Sequence, residues 1–286
     1  MSYRSIRLDR KAPLLFRIRA QLRKTAPARW AYRRRWNRMA DVMLLSFPKA
    51  GRTWLRMLLA KTLATHCDVA DDRLMDLQHT PGVPRIKPKH DDNPHLKTPG
   101  ELVTRKTEYA DHKVILLVRD IRDLAVSAYF EATRRRQQFV GDISQFLRCQ
   151  RGGVDTMIRF YNIWAANRNV PRGFCLVRYE DLHADASAEV RRILDFVGVE
   201  GVTDETIRQA VAFASFENMN RMERTDALAS DRLRPGDPAD PESYKVRRGK
   251  VGGYRDYMDP ADAEMVRRKM VEQLDPMYYG RLADAT

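Results

Sequence analysis

Short strand-like runs alternate with amphipathic helical patterns along most of this chain. Strands that are separated by helices pair in parallel, because each helix returns the chain to the same end of the sheet. The pattern therefore predicts an α/β fold with a parallel sheet, in which ligands lie beyond the carboxyl ends of the strands. The predicted strands are 42–47, 113–118 and 174–178, and the predicted helices are about 52–65, 121–136, 154–167, 186–197 and 260–274.

Two segments lack this alternation. The first forty residues are rich in arginine interleaved with apolar side chains, which predicts a basic, partly helical N-terminal extension (1–40) before one folded domain (41–286). The segment 226–246 is rich in Asp, Pro and Arg without apolar periodicity. It is predicted to be a mobile loop or lid.

The net charge of the chain indicates the charge of its partner but not the kind of molecule. The formal net charge of +14 implies an anionic partner, which could be nucleic acid, an acidic membrane surface or a multiply charged small ligand. No apolar run approaches the roughly 20 residues of a membrane span and no signal peptide is recognisable, so a cytoplasmic location is expected. The three cysteines show no metal-ligand spacing, and no metal site is expected.

The most specific motif is the segment 47–54, Phe-Pro-Lys-Ala-Gly-Arg-Thr-Trp, which follows a strand pattern and opens a helix. A flexible Gly51, free backbone N–H groups, the positive helix end, Lys49 and Thr53 would form an anion-binding loop. The motif is not the triphosphate loop GxxxxGK[ST], because the lysine precedes the glycine, so a metal-free anion is favoured over Mg-ATP. The alternative is an ordinary strand-to-helix turn.

This segment resembles the 5′-phosphosulfate loop PK[ST]GTTW of sulfotransferases that use 3′-phosphoadenosine 5′-phosphosulfate (PAPS). Ala50 and Arg52 depart from that form. The resemblance implies a P-loop-like three-layer fold, with a central parallel sheet flanked by helices, and makes 41–286 a sulfotransferase domain. The implied PAPS-binding residues of this loop are Lys49, Ala50, Gly51, Arg52, Thr53 and Trp54.

Two further segments resemble the family's 3′-phosphate site. Arg119 at a strand end and Ser127 two helical turns later could grip one phosphate from two sides. The segment 247–255 is similar to RKGxxGDWK, and its Arg247, Arg248 and Gly249 are implied to wrap the same phosphate and to close on the donor. The alternatives are a surface pair of Arg119 with Asp123 and a solvated basic loop.

Adenine binding calls for aromatic and apolar surfaces rather than charge. Trp54 is the first candidate, and Tyr179 belongs to a segment that matches the family pattern YEDL. Phe216 and Met219 belong to a segment that resembles SFxxM, whose Phe and Met flank the base. Core packing of Phe216 and Met219 is the alternative.

The candidate base is His90, in a segment similar to the family's PRxxKTH. An imidazole with an ordinary pKa near about 6.5 can accept a proton at neutral pH, and Asp91 or Asp92 could orient its ring. His79 and His95 are nearby competitors, and a solvated loop histidine is the alternative.

The same segment leaves the second active-site cation open. Pro88 stands where the family usually has a lysine, and Lys87 and Lys89 lie on either side of it.

The resemblance as a whole implies in-line sulfuryl transfer from PAPS to an acceptor hydroxyl or amine, with 3′-phosphoadenosine 5′-phosphate (PAP) as product and no metal. Lys49 would stabilise the bridging oxygen, Ser127 would hold Lys49 and the 3′-phosphate, and His90 would deprotonate a carbohydrate, lipid-linked or small aromatic acceptor. The alternatives are a small-molecule kinase and a non-enzymatic nucleic-acid-binding protein, although no specific nucleic acid is expected. The basic extension is also compatible with peripheral contact with an acidic membrane. No oligomeric state is predicted.

Overall fold

A four-stranded parallel sheet forms the centre of the molecule. The computed structural model describes residues 42–71, 74, 83–227 and 233–279. The strands are β1 (Val42–Ser46), β2 (Ile86–Lys89), β3 (Lys113–Val118) and β4 (Gly173–Arg178). They lie in the order β2-β1-β3-β4, and every neighbouring pair is parallel, as the alternating sequence pattern predicted.

The strand register places all four strand ends at one edge of the sheet. Val42 pairs with Ile86 on one side and with Lys113 on the other, and Lys113 pairs in turn with Gly173. The four strands therefore begin level. β1 is buried throughout and β3 is buried beyond its first residue, as expected for central strands that are covered on both faces.

The helices connect the strands and bury most of the core. Within the described residues, α1 packs against α7, whereas α2 contacts α3, α4 and α9. Helix α4 contributes the fully buried Tyr161 and Trp164. The α-helices in these ranges are α1 (Arg52–His66), α2 (Ile121–Phe130), α3 (Ile143–Leu147), α4 (Val154–Ala166), α5 (Tyr179–Ala184), α6 (Ala186–Val197), α7 (Asp204–Phe213), α8 (Phe216–Arg224) and α9 (Pro260–Gln273).

The structure differs from the sequence prediction in two segments close to the strand ends. The helix predicted for 121–136 is α-helical only to Phe130 and continues as a π-helical turn over Glu131–Arg135. No strand was predicted at β2, which contains Pro88. Proline is tolerated there because, among the described strands, β2 lies at the sheet edge and pairs with β1 alone.

The described part of the predicted lid, 226–246, is irregular apart from a 3₁₀ turn at Pro241–Ser243. Its mobility remains a prediction. The predicted basic extension, 1–40, lies outside the described residues. Across the ranges that the structure does describe, every helix is too short or too polar to cross a membrane.

Candidate active site

The predicted motifs converge at the carboxyl edge of the sheet. The segment 47–51 follows β1 and leads into α1, His90 follows β2, Arg119 follows β3, and Tyr179 follows β4. Because the parallel strands end level, segments that are distant in sequence become neighbours at this edge. This edge is the expected ligand position in an open parallel sheet.

The loop before α1 has a backbone shape that depends on glycine. Gly51 has a left-handed φ of 98°, and a Cβ at this position would lie 2.5 Å from Cδ2 of Tyr179. Lys49 also has a positive φ of 77°, which is uncommon for a residue with a side chain. Ala50 is fully buried, and its backbone N–H donates to the carbonyl of Phe47 at 3.4 Å. The first turn of α1 has no capping side chain and no acidic residue, so no side-chain charge offsets the positive end of the helix dipole there.

The amino group of Lys49 is held by Glu131. Its Nζ lies 2.9 Å from Oε2 of Glu131, and burial lowers the pKa of Lys49. Arg135 and Arg136 contact the same carboxylate at 3.3 and 3.1 Å. Burial alone would raise the pKa of Glu131, but the charges of Lys49 and Arg135 outweigh burial and hold it well below its usual range. One carboxylate therefore faces three cations.

A small cleft opens beside this ion pair. Ser127 stands one helical turn before Glu131, so both face the cleft. The cleft brings together Lys49, Ser127 and Arg247, three of the predicted site residues, from separate parts of the chain. Its lining residues are Lys49, Ser127, Phe130, Glu131, Arg135, Glu242, Tyr244, Lys245 and Arg247.

The imidazole of His90 is neutral and has a defined tautomer. Nη2 of Arg52 lies 2.6 Å from Nε2 of His90, and the carbonyl oxygen of Ser46 lies 3.3 Å from Nδ1. A guanidinium can only donate, so Nε2 accepts and Nδ1–H donates to Ser46. Burial and the charge of Arg52 lower the pKa of His90 to about 3.

The expected orientation of His90 by a neighbouring carboxylate is wrong. Asp91 accepts hydrogen bonds from Tyr109 at 2.6 Å and Trp164 at 2.9 Å, and it pairs with Lys106 at 2.6 Å. Asp92 forms an ion pair with Lys97. The backbone turns sharply after His90, with positive φ at both aspartates, and directs their carboxylates away from the imidazole.

Of the two competing histidines, His95 lies beside His90. The two ring centroids are 6.2 Å apart. Burial lowers the pKa of His95, and its Nδ1 is buried without a hydrogen-bond partner. His79 lies outside the described residues.

Arg119 stands at the end of β3 beneath an aromatic ring. Its guanidinium lies 4.2 Å from the ring centroid of Tyr179, and its Nη2 donates to the carbonyl of Lys250 at 3.0 Å. The alternative pair of Arg119 with Asp123 is present at 3.7 Å, longer than a hydrogen bond, and it is largely buried rather than on the surface, with side chains that are 12% and 2% exposed. Nε of Arg119 is buried and has no hydrogen-bond partner.

Asp123 holds the segment 247–255, which was predicted to bind the 3′-phosphate, against α2. Its carboxylate accepts the backbone N–H groups of Gly252 and Tyr254, each at 2.8 Å. These two bonds bring the segment 247–254 against the start of α2, next to Arg119.

Arg247 and Arg248 take different positions in this segment. Arg247 lies 4.1 Å from the ring of Phe130 and 4.7 Å from that of Tyr257, and it pairs with Glu242 at 2.8 Å. The side chain of Arg248 is 58% exposed, and it contacts Glu242 and Tyr257 from outside. Arg247 therefore faces the cleft, whereas Arg248 lies at its rim.

Gly249 has a left-handed φ of 58°, and a Cβ there would lie 2.5 Å from Cδ2 of Phe216. Phe216 is itself partly exposed, at 38%, whereas Met219 is buried in the core. Trp54, in the first turn of α1 next to Thr53, packs edge-to-face on Tyr179 at 5.6 Å. The predicted aromatic side chains thus lie near the glycines of the two predicted phosphate loops.

Sequence reasoning missed several residues of this site. Glu131 lies four residues after Ser127, and this helical spacing could have revealed it. Lys245 and Glu242 lie within the segment that was predicted to be a mobile loop, where no periodicity marks a facing side chain. His95 was named only as a competitor of His90.

The parallel sheet, the cleft at its carboxyl edge and the predicted anion-binding loop at the end of β1 define the class of this protein as α/β. The family model described as "Sulfotransferase domain" matches residues 39–277. The chain therefore belongs to the sulfotransferase family, and it is a sulfotransferase enzyme.

Relatives and solved structures agree with this assignment. Cytosolic sulfotransferase 17 of Arabidopsis thaliana is 25% identical over 80% of this chain and 71% of its own length. Flavonol 3-sulfotransferase of Flaveria bidentis is 23% identical over 82% of this chain and 81% of its own.

The fold resembles that of mouse sulfotransferase SULT7A1 in complex with PAP, with a TM-score of 0.59, 20% identity, and coverage of 86% of this chain and 89% of that one. Retinol dehydratase in complex with androsterone and PAP gives a TM-score of 0.55 at 18% identity, covering 82% and 81%. These matches confirm the predicted P-loop-like three-layer α/β fold.

Proposed function

We propose that this enzyme transfers the sulfuryl group of PAPS to the hydroxyl or amine of an acceptor and releases PAP. The observation that carries the proposal is the neutral His90 imidazole at the same strand edge as Lys49 and the N-terminus of α1. A base for the acceptor and positive charge for the leaving group are both needed for this reaction. Two structural neighbours, which were solved with PAP, support the choice of donor.

The residues of the site fit a donor with a 3′-phosphate. Nε of Arg119 is a buried donor without a partner, and Arg247 and Arg248 lie on a segment that contacts Arg119 through Lys250. ATP lacks a 3′-phosphate and would leave Nε of Arg119 without an acceptor, which disfavours the kinase alternative. Lys49 and the helix end supply positive charge, so the proposal requires no metal.

Lys49 is proposed to stabilise the oxygen that bridges phosphorus and sulfur. It must then exchange Glu131 for the donor, because its Nζ is held at 2.9 Å by that carboxylate. Ser127 shares the cleft with Lys49 and is proposed to hold both Lys49 and the 3′-phosphate. The aromatic surface for adenine is assigned to Trp54, Tyr179 and Phe216, with Met219 behind them.

His90 is proposed to take the proton of the acceptor at Nε2. The hydrogen bond from Nδ1–H to Ser46 fixes the tautomer that leaves the Nε2 lone pair available. Arg52 donates to that lone pair in this structure and must move aside when an acceptor binds. Because the pKa of His90 is lowered to about 3, the imidazole is neutral throughout the physiological range.

The acceptor is proposed to be a carbohydrate, a lipid-linked glycan or a small aromatic molecule. A relative is named for a flavonol, and one structural neighbour was solved with androsterone. We also propose a cytoplasmic location, which fits relatives named as cytosolic sulfotransferases, with peripheral contact with acidic membranes through residues 1–40.

Titration calorimetry with PAP, AMP and Mg-ATP tests this function on the full chain. We expect PAP to bind most tightly of the three. Arg119→Ala should lower the affinity for PAP by about tenfold or more and leave the affinity for AMP almost unchanged. Arg267→Ala is the matched control, because Arg267 pairs with Glu264 on the exposed face of α9. Preference for Mg-ATP would favour the kinase alternative. Absence of nucleotide binding would contradict the proposed transfer from PAPS.

A further inference from the structure

The backbone of Lys245 is held beside the cleft by the buried carboxylate of Glu223. Glu223, which is 1% exposed, accepts the backbone N–H of Lys245 at 2.7 Å and that of Val246 at 2.8 Å. Asn220, also on α8, donates to the carbonyl of Val246 at 2.9 Å. These bonds fix the position from which the Lys245 side chain enters the cleft, where it lines the same space as Lys49.

The charge of Lys245 interacts with residues from both halves of the proposed reaction. Burial, followed by the charges of Lys49 and Arg135, lowers the pKa of Lys245 to about 7. Lys245 is also one of the charges that lower the pKa of His90. Lys245 therefore shares a cleft with the cation proposed for the leaving oxygen, and its charge also acts on the base proposed for the acceptor.

The other lysines near β2 are directed elsewhere. Nζ of Lys89 contacts the hydroxyl of Tyr109 at 2.9 Å and Glu108 at 3.3 Å. Lys87 lies two residues earlier on the same strand face, and the charges that act on its pKa are those of Lys89 and Glu108. Neither lysine that flanks Pro88 lines the cleft.

We propose that Lys245 is a second catalytic cation, which contacts the sulfuryl oxygens as the group passes from PAPS to the acceptor. This inference rests on the proposed function. The sulfur–oxygen bond to the 5′-phosphate breaks as a sulfur–oxygen or sulfur–nitrogen bond to the acceptor forms, and the acceptor proton moves to Nε2 of His90. In this proposal the ammonium group of Lys245, which shares the cleft with Lys49, lies beside the sulfuryl oxygens during the step, where fixed positive charge stabilises transfer.

A comparison of PAPS with PAP isolates this contact without knowledge of the acceptor, because only PAPS carries the sulfuryl group. Calorimetry is performed with the full chain, Lys245→Met, Lys245→Arg and the control Lys269→Met, whose lysine pairs with Asp155 on the outer face of α9. We expect Lys245→Met to lower the affinity for PAPS by about tenfold and to change the affinity for PAP by less than about twofold. The preference for PAPS over PAP is then reduced. Lys245→Arg keeps a charge and is expected to retain most of the preference.

A pH series provides a readout that a structural role would not produce. The preference of the wild type for PAPS over PAP should decline as the pH rises through about 7 and above, because the amine of Lys245 loses its proton there. Lys245→Arg should keep its preference up to about pH 9, since guanidinium stays charged. Among the described residues, the titratable and charged groups that act on Lys245 or share its cleft are Lys49, Arg52, His90, Glu131, Arg135, Glu242, Tyr244 and Arg247.

Three outcomes separate the possibilities. Equal weakening of PAP and PAPS in Lys245→Met, or an unchanged preference, overturns the role of Lys245. An alkaline decline that persists in Lys245→Arg assigns the titration to Lys49 or another group and overturns it as well. Failure of the wild type to bind either nucleotide overturns the proposed function itself, whereas normal PAP binding by Lys245→Met shows that the variant is folded.

Discussion

At the scale of single residues, the site depends on which anion Lys49 contacts. In this structure Glu131 occupies its Nζ, and Arg135 and Arg136 share the carboxylate. A donor that binds Lys49 must displace the carboxylate of Glu131. The negative charge of this carboxylate also repels the phosphates of an incoming donor. Glu131 therefore stabilises the unliganded site and opposes donor binding.

We expect Glu131→Gln to bind PAP about three- to tenfold more tightly, because Lys49 is released and one repulsive charge is removed. The same substitution should lower the free energy of unfolding by about 2 kcal/mol, since it leaves partly buried cations without their carboxylate. Calorimetry and urea unfolding measure the two effects. Glu264→Gln on α9, whose carboxylate pairs with the exposed Arg267, should change neither. Weaker PAP binding by Glu131→Gln would contradict this account.

The pH dependence of that stability has a definite sign. The pKa of Glu131 is lowered on folding, so its contribution is complete above the unfolded pKa of about 4.3 and is lost as the pH falls through the folded value. The difference in the free energy of unfolding between wild type and Glu131→Gln should therefore be constant near neutral pH and shrink below about pH 4. A difference that is the same at pH 3 and pH 7 would show that the carboxylate charge is not responsible.

At the scale of secondary-structure elements, the start of α1 depends on the close approach of Tyr179 to Gly51. Two constraints coincide at this glycine, a left-handed backbone and the absence of space for a Cβ. Gly198, at the end of α6, has a similar φ of 90°, but a Cβ there would meet no atom within 4 Å. The two glycines separate backbone strain from steric contact.

We expect Gly198→Ala to destabilise the protein by about 1 kcal/mol through backbone strain alone. Gly51→Ala should cost about 2–3 kcal/mol and weaken PAP binding, because Tyr179 must shift as well. Chemical unfolding of both variants, with PAP calorimetry, measures the difference. Equal destabilisation with unchanged PAP affinity would mean that the contact between Tyr179 and Gly51 does not shape the loop.

At the scale of the whole molecule, positive charge is concentrated at one end of the sequence. Residues 1–40 contain 13 Lys and Arg and a single Asp, so they carry +12 of the formal net charge of +14. The remaining chain is close to neutral, and the cleft holds the four cations Lys49, Arg135, Lys245 and Arg247 with the two carboxylates Glu131 and Glu242. The large net charge therefore comes from residues 1–40 and gives no information about the donor site.

A chain that begins at residue 41 should bind PAP with nearly unchanged affinity, because β1 begins at Val42 and the described site lies entirely beyond it. It should lose binding to vesicles that contain anionic phosphatidylserine, where each basic residue contributes about 1 kcal/mol near the surface. Vesicle sedimentation and calorimetry check both outcomes. Vesicles of neutral phosphatidylcholine are the control, and retention of vesicle binding by the shortened chain would disprove membrane contact through residues 1–40.

The sequence predicted those features that depend on neighbouring residues. The runs at 42–47 and 113–118 are apolar enough to indicate buried parallel strands, and the glycine-containing loop before Arg52 marks a helix start. Lys49, Arg119 and His90 follow strand ends, so the topology alone brings them to one edge of the sheet. No strand was predicted at β2, because Pro88 and the lysines on either side of it are residues typical of a loop.

The tertiary structure decided which side chains are paired. The aspartates after His90 are adjacent to it in sequence, yet they bind Tyr109, Trp164 and lysines, while Ser46 and Arg52 hold the imidazole. Glu131 meets Lys49, and Lys245 enters the same cleft from more than a hundred residues further on. The sequence by itself determined the strands, the helix starts and the candidate anion-binding loop, because these follow from periodicity and local backbone preference. Only packing decided the protonation and partners of the site, because burial and charge depend on neighbours that the chain brings together from distant segments.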